Sequence, residues 1–229
     1  MTKLDLRKTI YNTIDTETCP ITKSDKVDAH NMLVYDIGWR CYDKKNNEYI
    51  TRSFIVAEIF FGEKEKMASS YYAEKLPQYY EDIKNGTRVI KPFDEIVEIY
   101  REDLKNFNVK FISAHNAYFD YTALRTTAKW LNAKNQYFFP REIPLWDTMK
   151  MARDTICKNK TYTVYSSNGR KSAKAQDLYR YISRNESFKE SHTGLEDTQI
   201  ESEILLACLS QHKKMRKLLF PNSKLAITR

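Results

Sequence analysis

Residues Thr9 to Pro20 read TIYNTIDTETCP, an apolar-leaning run that stops on two carboxylates, Asp15 and Glu17, interleaved with Thr16 and Thr18. In an extended chain residues i and i+2 share a face, so both acids point the same way and repel unless a cation lies between them. A lone D-x-E is an ordinary chance event in a chain carrying 30 Asp and Glu. Its meaning depends on what the rest of the chain brings to it.

Working outward, Met32 to Cys41 (MLVYDIGWRC) and Tyr49 to Phe61 (YITRSFIVAEIFF) read as strands, and the turn residues Lys44 to Asn47 lie between them. The first third therefore predicts a three-strand meander. Residues 62–91 change character, with GEKEK, the doubled tyrosines of YYAEKLPQYY and Asn85-Gly86; they predict a largely helical surface insertion with a break at Pro77. Beyond Pro92, Phe93, Ile96, Val97, Tyr100 and Leu104 recur at helical spacing. A short buried strand is expected over 109–116, a helix over 118–131, and a fifth strand turning into a helix over 143–156, with Asp147 or Thr148 near the cap. An exposed loop or hairpin (158–174) and two helices (175–184 and 193–214) complete the pattern. Strands followed by alternating strands and helices imply an α/β fold, a mixed five-stranded sheet flanked by helices. One domain over 1–212 and a basic tail over 213–229 are expected. Trp39, Trp130 and Trp146 are expected in the core.

With 38 Lys and Arg against 30 Asp and Glu, the 229 residues carry a formal charge of +8, which favours a polyanionic partner such as nucleic acid. No apolar run reaches the roughly 18 residues of a spanning helix, and the first residues lack a signal-peptide core. The expected compartment is cytoplasmic, with no membrane partner. Cys19, Cys41, Cys157 and Cys208 are far apart, with no C-x-x-C, and His30, His115, His192 and His212 are scattered. Any metal must rely mostly on oxygen ligands, which points to Mg²⁺ or Mn²⁺.

Two more segments hold polar groups that their context does not require. SAHNAYFDYTAL places Asn116 after a strand and Asp120 about one helical turn on, able to face the same edge as Asp15. SHTGLEDTQIESEIL places Asp197 on the first turn of the last helix, with His192 in the loop before it and Gly194 giving that loop its freedom. His115 and Asn116 read as supporting groups, and Asp147 as a cap.

IDTET, HNAYFD and HTGLED, in this order and at these separations, resemble the three motifs of the DnaQ-like (DEDDh) 3′→5′ exonucleases, whose fold is ribonuclease-H-like. The resemblance runs from about Lys8 to Leu209 and includes the Trp146-Asp147-Thr148 step. It implies that Asp15, Glu17, Asp120 and Asp197 are the four metal-holding acids and His192 the catalytic histidine. Thr16, Thr18, His115, Asn116 and Phe119 are then candidate substrate contacts. Two Mg²⁺ or Mn²⁺ ions roughly 4 Å apart would neutralise the phosphodiester and lower the pKa of the attacking water. Asp15 would bridge them, Glu17 and Asp197 would complete the first, Asp120 would support the second, and His192 would act as general base. The implied partner is a single-stranded 3′ end, DNA ahead of RNA because no motif reports a 2′-hydroxyl contact. The alternatives are an RNA-trimming exoribonuclease or oligoribonuclease, and a non-catalytic polymerase accessory module. A proofreading role would need a polymerase in trans. The 62–91 insertion departs from the compact family members.

Overall fold

The meander forms, and it is longer than its sequence pattern. In the computed structural model, which describes residues 9–24, 27–70 and 73–219, β1 (Ile10–Pro20) pairs antiparallel with β2 (Met32–Asp43), and β2 with β3 (Glu48–Val56). The first strand does not stop on its acids. It runs through Asp15 and Glu17 to Pro20 because β2 keeps pairing with it, with a bulge between Glu17 and Thr18. The third strand ends earlier than expected, and the chain coils into the one-turn helix α1 (Ala57–Phe60).

The 62–91 segment is helical as expected, with α2 (Lys64–Met67) and α3 (Leu76–Lys84), but it is not merely a surface feature. Met67 and Tyr79 are buried in the main core. The segment ends in a strand, β4 (Val89–Lys91), which joins β3 in parallel. This sixth strand is only three residues long, too short to show a period-two pattern. After it come α4 (Phe93–Asn106), β5 (Phe111–Ala114), α5 (Ala117–Trp130), β6 (Leu145–Asp147) and α6 (Thr148–Asp154). The order across the sheet is β4-β3-β2-β1-β5-β6. Two helices complete the layers, α7 (Ala175–Ser183) and α8 (Gly194–Ser210). Among the described residues no helix is long and apolar enough to cross a membrane.

Helices cover both faces. Ile10 and Ile14 pack with Ile96 and Val97 of α4 and Leu124 of α5 on one side. Tyr11 and Tyr42 pack with Met151 of α6, Leu178 of α7 and Ile204 and Leu205 of α8 on the other. Fully burying an aliphatic side chain of this size contributes about 1.5–3 kcal/mol. Thr13 fastens three strands just before the acids: its hydroxyl bonds the Tyr42 hydroxyl (2.6 Å) and Ser113 (2.8 Å).

Two expectations change here. Trp39 and Trp146 are buried, but Trp130 is 44% exposed; its indole N–H donates to Glu63 (2.8 Å) and Lys66 lies over its ring. The expected tail begins as part of the domain. The Asp147 N–H donates to the Lys217 carbonyl (2.7 Å) and the Leu219 N–H to the Leu145 carbonyl (2.9 Å), so this stretch covers the free edge of β6. The rest of the expected tail, together with Tyr71 and Tyr72, falls outside the described residues.

Candidate active site

β5 pairs with β1 only from Tyr11 to Thr13, and then leaves to start α5. Beyond Thr13 the side of β1 that faced β5 is open, so carboxylates from both helical layers can reach Asp15 and Glu17. On the α5 side Asp120, 2% exposed, accepts the Thr16 hydroxyl at 2.8 Å. On the α8 side Asp197, 4% exposed, brings a carboxylate oxygen together with those of Asp15 and Glu17, all within 4.8 Å of one another.

Two glycines make the second approach possible. Gly38 lies opposite Asp15 in the β1–β2 register, and a Cβ there would stand 2.1 Å from the Gly194 carbonyl oxygen. A Cβ on Gly194 would meet the Gly38 nitrogen at 2.9 Å. The sheet and the first turn of α8 therefore touch backbone to backbone, which lowers Asp197 onto β1. The expected role of Gly194, loop freedom, is corrected: it is the first helical residue and serves close approach. The left-handed position in this loop is His192 itself, at φ 53°.

Burial and crowding act together on these acids. Burial, then the nearby charges of Glu201, Asp120, Asp197 and Glu17, pushes Asp15 well above the usual carboxylate range. Glu17 is raised in the same way by burial and then by Asp197 and Asp36. Burial raises Asp120 to about 7, partly offset by the Thr16 hydrogen bond. Asp197 is raised to about 8 by burial and then by Glu190. Buried acids that repel one another need either protons or cations. An all-oxygen donor set beside a single imidazole suits a hard divalent ion such as Mg²⁺ or Mn²⁺.

Two acids in this site escape the sequence reading. Glu201, one helical turn beyond Asp197 on α8 and 3% exposed, accepts the His115 backbone N–H at 3.1 Å and is the largest charge acting on Asp15. Glu190, two residues before His192, places its Oε2 3.9 Å from His192 Nδ1; Glu190, His192 and Asp197 offer donor atoms within 4.8 Å of one another. The D-x-x-x-E spacing of Asp197 and Glu201 was the available signal, since i and i+4 share a helix face. Burial, then Lys75, lowers the His192 pKa below its usual value, which leaves a neutral imidazole able to accept a proton near neutral pH.

The remaining candidates divide. Thr16 is occupied with Asp120 and so positions a carboxylate. The His115 ring is held by Thr148 Oγ1 (3.0 Å) and the Ala173 carbonyl (2.7 Å), while its backbone N–H supports Glu201. Asn116, exposed and at φ 64°, caps α5 in the left-handed conformation. Thr18 and Phe119 are half-buried near the site. Asp147 caps α6 as expected, accepting the Lys150 N–H at 3.2 Å.

No family model matches the chain, and no curated protein matches it. Solved structures do. The nuclease domain of 3′hExo, a DEDDh family member, bound to rAMP, superposes with a TM-score of 0.63 at 10% identity, over 92% of this chain and 97% of that one. Cell-death related nuclease 4 (CRN-4) gives a TM-score of 0.53 at 11% identity, over 91% of this chain and 66% of that one. E. coli Exonuclease I in complex with a dA16 oligonucleotide gives 0.52 at 13% identity, over 90% of this chain and 41% of that one. Set beside the six-stranded order and the contact of β2 with α8 at Gly38 and Gly194, these similarities establish the architecture: the chain has the ribonuclease-H-like fold of the DnaQ-like 3′–5′ exonucleases.

Proposed function

We propose that the protein is a metal-dependent 3′→5′ exonuclease of the DEDDh type that removes nucleoside monophosphates from single-stranded ends, DNA ahead of RNA. One observation carries the reading: oxygens of Asp15, Glu17 and Asp197 lie within 4.8 Å of one another, and Asp197 also reaches the His192 imidazole. Asp15, Glu17, Asp120 and Asp197 would hold Mg²⁺ or Mn²⁺, with Glu201 behind them. The bound ions supply charge neutralisation for the phosphodiester and acidify the attacking water.

The chain's own groups do the rest. His192, its pKa lowered by burial, accepts the proton of the attacking water; its half-exposed loop position lets a water reach it. Thr16 fixes the Asp120 carboxylate through its hydroxyl. Glu201, anchored by the His115 N–H and itself pushed well above the usual carboxylate range by burial and then by Asp120, adds to the crowding around Asp15. The formal charge of +8 draws the polyanion in from solution. Two of the neighbours named above are described with a nucleotide or oligonucleotide ligand and none with a polymerase, so a polymerase partner is not carried forward.

The test is digestion of 5′-labelled DNA and RNA oligomers of equal sequence in Mg²⁺ or Mn²⁺, with a circular single strand alongside. The expected result is a DNA ladder shortening by one nucleotide and an intact circle. Preferential shortening of the RNA would make the protein an exoribonuclease. Cutting of the circle at a comparable rate, or binding with no cleavage of either strand, would overturn the exonuclease reading.

A further inference from the structure

The 62–91 segment is tied to the site by a buried acid. Asp36, fully buried on β2 and opposite Glu17, accepts the Tyr79 hydroxyl at 2.7 Å and Arg88 Nη1 at 3.2 Å through one oxygen, Oδ2. The same oxygen accepts the backbone N–H of Gly194, the first residue of α8, at 3.2 Å. The Arg88 guanidinium stacks over the Tyr79 ring at 4.6 Å and pairs with Asp82 at 2.9 Å. The helix α3 and the start of α8 are thus registered against one carboxylate. A group at the head of α3 is held in place relative to His192 and Asp197.

That group is Lys75, the residue capping the N-terminal end of α3, about one helical turn before Tyr79. It is half-buried, and its positive charge acts on Glu17, Asp197, Glu190 and His192 alike. Because Tyr79, one turn further on, and Gly194, at the start of α8, share one oxygen of Asp36, the head of α3 lies beside the loop that carries His192. A lysine ammonium is a compact point charge with three donors on a flexible stem, suited to a phosphate oxygen. When divalent ions satisfy the carboxylates, this ammonium faces a local excess of positive charge, and an incoming phosphate is the anion that balances it.

We infer that Lys75, delivered by the docked 62–91 segment, contacts the phosphate of the terminal nucleotide at the His192 edge of the acid cluster. This rests on the exonuclease reading above. It gives the segment a function: the segment supplies a cation to the site, and the Tyr79–Asp36–Arg88 lock sets where that cation stands.

The experiment compares wild type, Lys75→Ala and Lys75→Arg. Binding of dAMP and of deoxyadenosine is measured by calorimetry in Ca²⁺, which supports binding but little chemistry, and digestion of a DNA oligomer is followed in Mg²⁺ at several salt concentrations. Lys75→Ala is expected to weaken dAMP about tenfold, the loss of one charge-assisted hydrogen bond, and to leave deoxyadenosine unchanged. Its KM should rise, and the slope of log KM against log salt should fall by about 0.7, one phosphate contact on a single strand. Lys75→Arg should restore both. A Lys75→Ala protein that binds dAMP like wild type, or whose sole change is tighter Mn²⁺ binding, would overturn the inference and make Lys75 a counter-ion of the acids. The exonuclease reading would survive that result as long as digestion continued. Wild-type protein that shortens no strand overturns the reading and the inference together.

Discussion

Glu17 and Asp36 face each other across the β1–β2 register and are both buried, yet they sit in opposite kinds of environment. Asp36 is matched by a guanidinium, a phenol and a backbone N–H that converge on one oxygen. Glu17 meets Asp197 and, through it, a crowd of further acids, with Lys75 as a partial counterweight. Burial raises the proton affinity of both, and for Asp36 the Arg88 charge opposes that rise. The difference teaches that a buried acid is not itself the mark of a site. The mark is a set of buried acids whose mutual repulsion the fold leaves for something else to balance.

Neutralising one member of each set should therefore have opposite effects. Asp15→Asn or Asp120→Asn is expected to abolish cleavage, a loss above about 10³-fold if each forfeits several kcal/mol of charge stabilisation. The metal-free fold should be retained or stabilised, because repulsion is relieved. Single-turnover digestion of stripped and Mg²⁺-resupplied protein, with a thermal melt of the same sample, checks both halves. Near-wild-type turnover in either variant would remove the site assignment.

His192→Ala should cost about 10² to 10⁴ in kcat, the usual weight of a general base. In the wild type the acid limb of the rate profile should lie below the ordinary histidine range, since burial lowers the His192 pKa. An unchanged rate and limb in the variant would assign the base elsewhere.

On the other side of the comparison, Arg88→Met leaves Asp36 buried without its cation. Breaking a buried pair on one side costs about 3–5 kcal/mol, so a denaturant midpoint well below wild type is expected, even with metal present. A midpoint within error of wild type would mean that Asp36 is not held as described.

Glu201→Gln sharpens the contrast, because Glu201 belongs to the crowd and also has one fixed hydrogen bond, from the His115 N–H. A supporting group of this kind typically contributes 10- to 100-fold to metal affinity or activity. Mn²⁺ titration of wild type and variant measures it, and equal affinities would place Glu201 outside the metal site.

The sequence exposed this contrast unevenly. IDTET, HNAYFD and HTGLED each carry local signals, a strand pattern, a strand-to-helix step and a loop before a helix, so the fold and the principal acids could be read from them. Glu201 had only its i, i+4 spacing from Asp197 to mark it, and an acid on a helix ordinarily means a solvated face. Only the contact of Gly38 with Gly194 turns that face inward. The same limit hid β4, three residues with no period to detect, and the inward half of the 62–91 segment. Tyr79 and Arg88 look like surface residues until Asp36, more than 40 positions away, is brought beneath them. Trp130 misled in the other direction: its size suggested core, but Glu63 and Lys66 hold it at the surface.

The most direct test of the central claim, that the fold builds an acid cluster to be filled by a divalent cation, is the melting temperature of EDTA-stripped protein from pH 5 to 9, with and without Mn²⁺. Asp120 titrates at about 7 and Asp197 at about 8 in the fold, against roughly 3.9 in an unfolded chain. The fold thus holds these protons more tightly than the unfolded chain does. Their stabilisation is complete below about pH 4 and is lost as pH rises through 7 to 8. The metal-free protein should lose on the order of 5 °C between pH 6 and 9. Mn²⁺ at about 100 times its Kd should add roughly 2.7 kcal/mol and restore the loss, most strongly at the alkaline end. A melting temperature that rises with pH without metal, or does not respond to Mn²⁺ anywhere in the range, would contradict the account.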